Sequence, residues 1–246
     1  MEQFIAWMIV FMVAHAPPGR DIYIPEAKES KEEALARYES IARDTATVVS
    51  EEEPLFRGPM GRAKTAMVIM SIMKHEGAFR KDVDTGVGKM ARGDHGRSVC
   101  LMQVNVGTGR TFAWNTKKNK PAAPADPAEE VAPGLTAQEM LANRQNCIRA
   151  GYRVIKVSFG ASGGLPATEW LRVYASGSRE GGSRESRSRM GLALRYFGEH
   201  RPGFTDHDFM FPAETAPLIP VEGRPMAYPS WPGKPLLRSI ATPEGY

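Results

Sequence analysis

The stretch Gly61–Asp84, GRAKTAMVIMSIMKHEGAFRKDVD, decides how the chain is read. From Gly61 to Met73 it is apolar on nearly every side of a 3.6-residue period, which predicts a helix running through a core rather than along a surface. The run ends on Glu76, followed by glycine and phenylalanine. A carboxylate at the C-terminal end of a buried helix feels the negative helix pole and apolar neighbours, and both raise its pKa. Such a group can hold a proton near neutral pH and act as a general acid. The plain alternative is a solvated helix-end glutamate.

Outward from this helix the chain is mostly helical. Ser30 and Glu33 form a capping box, and Ala34, Leu35, Tyr38, Ile41 and Ala42 follow at amphipathic spacing. The region 77–109 is glycine-rich and charged, which predicts an irregular segment with at most a small sheet. KKNKPAAPADPAEEVAPG reads as a solvated loop. Thr136 and Glu139 open a long helix that stops at Gly160. Shorter helices are predicted in ATEWLRVYASG and ESRSRMGLALRYFGEH. The eight prolines from Pro212 onward predict an extended tail.

Near the N-terminus an apolar run from Phe4 to Ala14 is too short to span a bilayer. It reads either as the core of an export signal ahead of Ala14-His15-Ala16 or as a helix docked on the domain. Glu2 and Pro17 fit the first reading poorly. The expected organisation is an apolar segment and loop over 1–28, a main domain over 29–211 and a proline-rich tail over 212–246.

An apolar content of 42% and a charged content of 24% suit a folded chain of 246 residues. The net charge is +4, and residues 137–201 alone carry eleven Lys and Arg against five Glu and no Asp. That excess points to an anionic partner, whether nucleic acid, a membrane surface or an acidic wall polymer. Cys100 and Cys147 are too few for a disulfide scaffold and lack metal-ligand spacing, so two free thiols are expected over a single bridge. Three further patterns carry less. Ser71-Ile72-Met73-Lys74 has the spacing of an acylating Ser-x-x-Lys, but the downstream elements such enzymes need are missing. SGSREGGSRESRSRM is basic without aromatics to stack on bases. The histidines offer no metal set.

Downstream of Glu76-Gly77 stand Cys100-Leu101-Met102-Gln103, Tyr174-Ala175-Ser176-Gly177 and Glu185-Ser186. In order and spread across roughly 57–201 the chain resembles the lysozyme-like lytic transglycosylase domain of the soluble-lytic-transglycosylase type. Its members carry Glu-Ser, Gly-Leu-Met-Gln, a Tyr-Asn-Ala-Gly-like element and a later Glu-Thr motif. The chain departs from that pattern at Gly77, Cys100, Ser176 and Arg189, the last standing where the family has tyrosine.

The resemblance implies a mainly α, lysozyme-like (α+β) fold with a helical core and an irregular segment beside a cleft. It implies cleavage of the MurNAc–GlcNAc β-1,4 bond of peptidoglycan glycan strands, with Glu76 as general acid and base and no cofactor or metal. Met102 and Gln103 would line the cleft, Tyr174 would hold the carboxyl of Glu76, and Glu185 would contact substrate. Such enzymes work in the cell envelope, periplasmic or exported, or in phage lysis and virions, without nucleic acid or a stable membrane span. Two alternatives stay open. A hydrolytic lysozyme would use Asp84 or Asp94 as a second carboxylate. A non-catalytic wall-binding or structural protein would keep the fold alone.

Overall fold

A computed structural model describes residues 1–20, 22–107 and 109–210, with the side chains of 209 and 210 left out. The proline-rich stretch from Pro212 lies outside the described residues. The chain is mainly helical, as its periodicities predict.

Helix α1 (Glu2–His15) turns Phe4, Ile5, Trp7, Met8, Phe11 and Met12 inward. At ~1.5–3 kcal/mol for each large apolar side chain buried, these six contribute on the order of 10 kcal/mol. That is comparable to the whole net stability of a domain. Trp7 donates from its indole nitrogen to the His200 carbonyl at 2.7 Å, and the Tyr38 hydroxyl donates to the Ala16 carbonyl at 2.7 Å. The apolar N-terminal run is therefore a docked helix in this structure and shares one core with the rest.

Helix α2 (Lys31–Glu51) begins at the capping box of Ser30 and Glu33, with both reciprocal hydrogen bonds present. Helix α3 (Gly61–Gly77) is the central element, and twelve of its seventeen residues are buried. Gly61 is required at its start, because a Cβ there would fall 2.1 Å from the Phe56 carbonyl oxygen. A short α4 (Lys81–Thr85) follows, then a two-stranded antiparallel ribbon of β1 (Ser98–Val99) and β2 (Val104–Asn105). The irregular segment after Glu76 thus holds a small sheet, as its composition allows.

Two elements differ from expectation. The stretch expected as a solvated loop, 117–134, is largely exposed but supplies two short strands, β4 (Lys120–Pro121) and β5 (Val131–Ala132), that pair antiparallel with β3 (Trp114–Asn115) just before it in the order β4–β3–β5. Trp114 and Asn115 are buried, and the Asn115 side chain accepts from the Lys118 amide at 2.7 Å. One aromatic and one turn-forming amide suffice to organise a proline-rich stretch. The helix expected from Thr136 to Gly160 is two helices, α5 (Ala137–Ala142) and α6 (Arg144–Ala161). Asn143 breaks them apart by adopting extended backbone and capping α6 through its own side chain, which accepts from the Gln145 amide at 2.9 Å.

The chain closes with a 3-10 turn at Ala167–Glu169, α7 (Arg172–Ser176), α8 (Ser183–Glu199) and α9 (Asp206–Met210). Helix α8 packs along α3, where the Ser71 hydroxyl donates to the Arg189 carbonyl at 2.7 Å. The Asp206 carboxylate accepts from the Arg62 amide at 3.1 Å and so covers the N-terminal end of α3. Among the described residues no helix is long and apolar enough to cross a membrane.

Cys100 and Cys147 form a disulfide with Cα atoms 6.1 Å apart, contrary to the expectation of free thiols. The bond joins the segment before β2 to α6. The same contact is made by Met102, whose side chain lies where a Cβ on Gly151 would be, 2.6 Å from its Cε. Two cysteines 47 residues apart are brought together by tertiary packing, which no local pattern announces.

Candidate active site

Helix α3 delivers Glu76 to its C-terminal end and then stops abruptly. Ala78 takes the left-handed conformation at φ 48° and caps the helix by donating its amide to the Lys74 carbonyl. Phe79 follows at φ 56° and is fully buried. Asp94, His95, Cys100 and Gln103 also have positive φ, so six of the seven non-glycine residues in that conformation among the described residues lie between 78 and 103. Left-handed backbone costs non-glycine residues roughly 1 kcal/mol or more each and concentrates at functional sites.

Glu76 keeps 18% of its side chain exposed and Arg189, from α8, keeps 12%. The Arg189 Nη2 donates to Glu76 Oε1 at 2.6 Å. Burial pushes the Glu76 carboxyl above the ordinary glutamate range; the charge and hydrogen bond of Arg189 pull it back only in part, and Asp94 pushes it further up. The guanidinium is poorly served by this contact, because its Nε and Nη1 are buried with no acceptor. Arg189 was visible in the sequence only as a departure from tyrosine. Its inward position was readable, since Ser186, Met190 and Ala193 on the same helical face are all buried.

The other residues singled out from sequence fall into different places. The Tyr174 hydroxyl donates to the Met102 carbonyl rather than to Glu76, while lying close enough for the Glu76 charge to act on it. Its pKa is pushed well above the usual tyrosine value, by burial first and then by Glu76, against Arg189. Met102 is fully buried against α6 instead of lining a cleft. Gln103 does not point an amide outward. Its Oε1 accepts from the Gly93 amide at 2.8 Å, and its Nε2 donates to the Ala91 and Cys100 carbonyls at 3.2 and 3.1 Å. Gln103 therefore clasps the loop that carries Asp94. Glu185 is exposed on α8, and its neighbour Ser186 is buried, donating to the Thr168 carbonyl and accepting from the Leu171 amide.

The two candidate second carboxylates separate clearly. Asp84 is gripped by Arg144 through two contacts of 2.8 Å, and Arg144 also holds Asp44 at 2.6 Å, so Asp84 ties α4 to α6 and α2. Asp94 is exposed, accepts from Ser98 and Asn105, and acts electrostatically on Glu76. Asp82 is buried and paired with Arg80.

Several other expectations change. Ser71 is fully buried with its hydroxyl committed to the Arg189 carbonyl, so it is placed as a helix-packing residue and not as a nucleophile. Within the basic stretch SGSREGGSRESRSRM, Arg187 is paired with Glu169 and Arg189 with Glu76, whereas Arg184 is exposed. Gly77 has a local cause: a Cβ there would lie 2.9 Å from a Val83 methyl. Among the described residues no cluster of three or more His, Cys, Asp and Glu is placed to hold a metal ion. Comparison with protein families, curated proteins and solved structures returns no match to this chain.

Proposed function

We propose that this chain is a lysozyme-like, peptidoglycan-degrading lytic transglycosylase that cleaves the MurNAc–GlcNAc β-1,4 bond. The observation that carries the reading is Glu76: a largely buried carboxyl at the end of a core helix, raised in pKa despite a guanidinium 2.6 Å away. Protonated Glu76 gives its proton to the glycosidic oxygen as the bond to the anomeric carbon breaks. The resulting carboxylate takes the proton of the MurNAc C6 hydroxyl as that oxygen closes on the anomeric carbon. The products are a 1,6-anhydro end and a free GlcNAc hydroxyl, with no water consumed and no cofactor needed. The motif resemblance supplies the substrate. The disulfide between Cys100 and Cys147 agrees with an oxidising compartment such as the cell envelope, where this substrate lies.

Mass spectrometry of muropeptides released from purified wall tests this. The expected products are lighter than the hydrolytic ones by one water and carry no new reducing end. One observation favours a second reading: Asp94 is exposed and its charge acts on Glu76 to raise its pKa, as a second carboxylate would. A hydrolytic lysozyme using this pair would give reducing ends and would be inactivated by Asp94→Asn. For the transglycosylase, Asp94→Asn leaves kcat/KM within about tenfold. Wall that is bound but never cut would make the chain a binding protein and overturn both readings.

A further inference from the structure

Resting on that functional reading, we propose that Arg189 recognises a free carboxylate carried by the sugar next to the scissile bond, and that this contact releases Glu76 from its ion pair.

To act as an acid Glu76 must be protonated and therefore neutral. Neutralising it strips Arg189 of its only hydrogen-bonded anionic partner among the described residues and leaves a buried guanidinium uncompensated, which is strongly unfavourable. The cycle closes without that cost only if the substrate brings an anion. Arg189 has unmet capacity: its Nε and Nη1 are buried without an acceptor, so an anion that takes the place of Glu76 meets unpaired donors. The Ser71 hydroxyl ties the Arg189 backbone to α3. The pair also keeps a narrow opening to solvent, 12% of the Arg189 side chain and 18% of Glu76.

The surroundings favour the same ligand. The loop that carries Asp94 also presents exposed Lys89, Arg92 and Arg97, which outnumber its one carboxylate and give the loop a positive balance that favours anions. A neutral acetamido group would satisfy a donor but would not replace the lost charge.

On a peptidoglycan strand the sugar with such a group is MurNAc. Its lactyl ether ends in a carboxyl that is an amide when a stem peptide is attached and a free carboxylate when the peptide has been removed. The inference is thus a preference for peptide-free strands. Carboxylates of the stem peptide itself are the other source of the same chemistry.

Three substrates of equal length separate these cases: peptide-free strands, strands with intact stem peptides, and peptide-free strands whose lactyl carboxyl has been converted to a methylamide. The expected result is a kcat/KM on the first at least about tenfold above the other two, the loss expected when a charge-assisted hydrogen bond is removed. Arg189→Gln removes the preference and lowers kcat/KM on peptide-free strands toward that of the methylamide, and Arg189→Lys, which keeps the charge, retains part of it. The three-substrate comparison on the wild-type protein stands even if a variant does not fold. Equal rates on all three, fastest cleavage of peptide-bearing strands, or a preference that survives Arg189→Gln each overturns the inference while leaving the proposed function in place. Cleavage of none of them overturns the proposed function and this inference with it.

Discussion

Helix α8 holds two glutamate–arginine sites that solve the same problem in opposite ways. At its start, Glu169 receives Arg172 Nε at 2.6 Å on one oxygen, and Arg187 Nη1 at 2.7 Å and Ser183 Oγ at 2.9 Å on the other. Two residues beyond Arg187, Arg189 offers Glu76 a single nitrogen. The hydrogen bond from Arg172 leads those that hold the Glu169 carboxyl down to about 2, against the effect of burial. At Glu76 burial wins and the pKa goes up. A fully satisfied carboxylate is a clasp. A carboxylate with too few partners is poised to change protonation state.

The sharpest way to break this comparison is to neutralise each site in turn. Glu76→Gln is expected to lower glycan cleavage by at least ~10³-fold, because the amide is nearly isosteric but cannot deliver the proton. Glu169→Gln should leave kcat per folded molecule within about threefold of wild type while lowering the melting temperature. Release of soluble wall fragments together with calorimetry measures both. A dead Glu169→Gln enzyme with an unchanged melting temperature would reverse the assignment of the two sites.

A smaller effect is expected from the disulfide, which lies on the Glu76 side only. Closing a loop across 47 residues stabilises by ~2–4 kcal/mol. Cys100→Ser with Cys147→Ser should lose that much in a denaturant titration. Hydrogen exchange should quicken in residues 91–106 and stay unchanged around Glu169.

The smallest and most diagnostic effect is in pH. Glu169, depressed in the fold, contributes stability that is present above its ordinary pKa and lost as pH falls toward about 2. Glu76, raised in the fold, contributes in the other sense: its share is present below the ordinary glutamate pKa and lost as pH rises through the raised value. Thermal melts from about pH 2 to 8 should show Glu76→Gln gaining on wild type as pH rises. Glu169→Gln should lose its deficit as pH falls. Parallel curves for Glu76→Gln and wild type would mean that Glu76 titrates normally.

What was legible in the sequence divides along the range of the interactions. Helix α2 declares itself through Ser30, Glu33 and an apolar stripe, all within a few turns. Helix α3 does so through a nearly continuous apolar run, and that run by itself places Glu76 at a buried helix end. The break at Asn143 is also local, but its signal competes with a strong capping box at Thr136 and a continuous helical period beyond it. The disulfide, the Arg189 contact and the inward turn of Gln103 depend on which segments meet in space. Gln103 shows the limit well: a polar residue between Met102 and Val104 suggests a site, yet its amide closes a loop on itself through three backbone groups.

The contact between Gly77 and Val83 ties two alphabet choices together. A serine at 77, as the resembled motif has it, needs a smaller residue at 83, and a valine at 83 needs a glycine at 77. The order of change is therefore fixed: position 83 can shrink alone, but position 77 can gain a side chain only after 83 has given way, or it clashes at the turn that aims Glu76. Gly77 is thus one half of a steric pair whose other half sits six residues downstream.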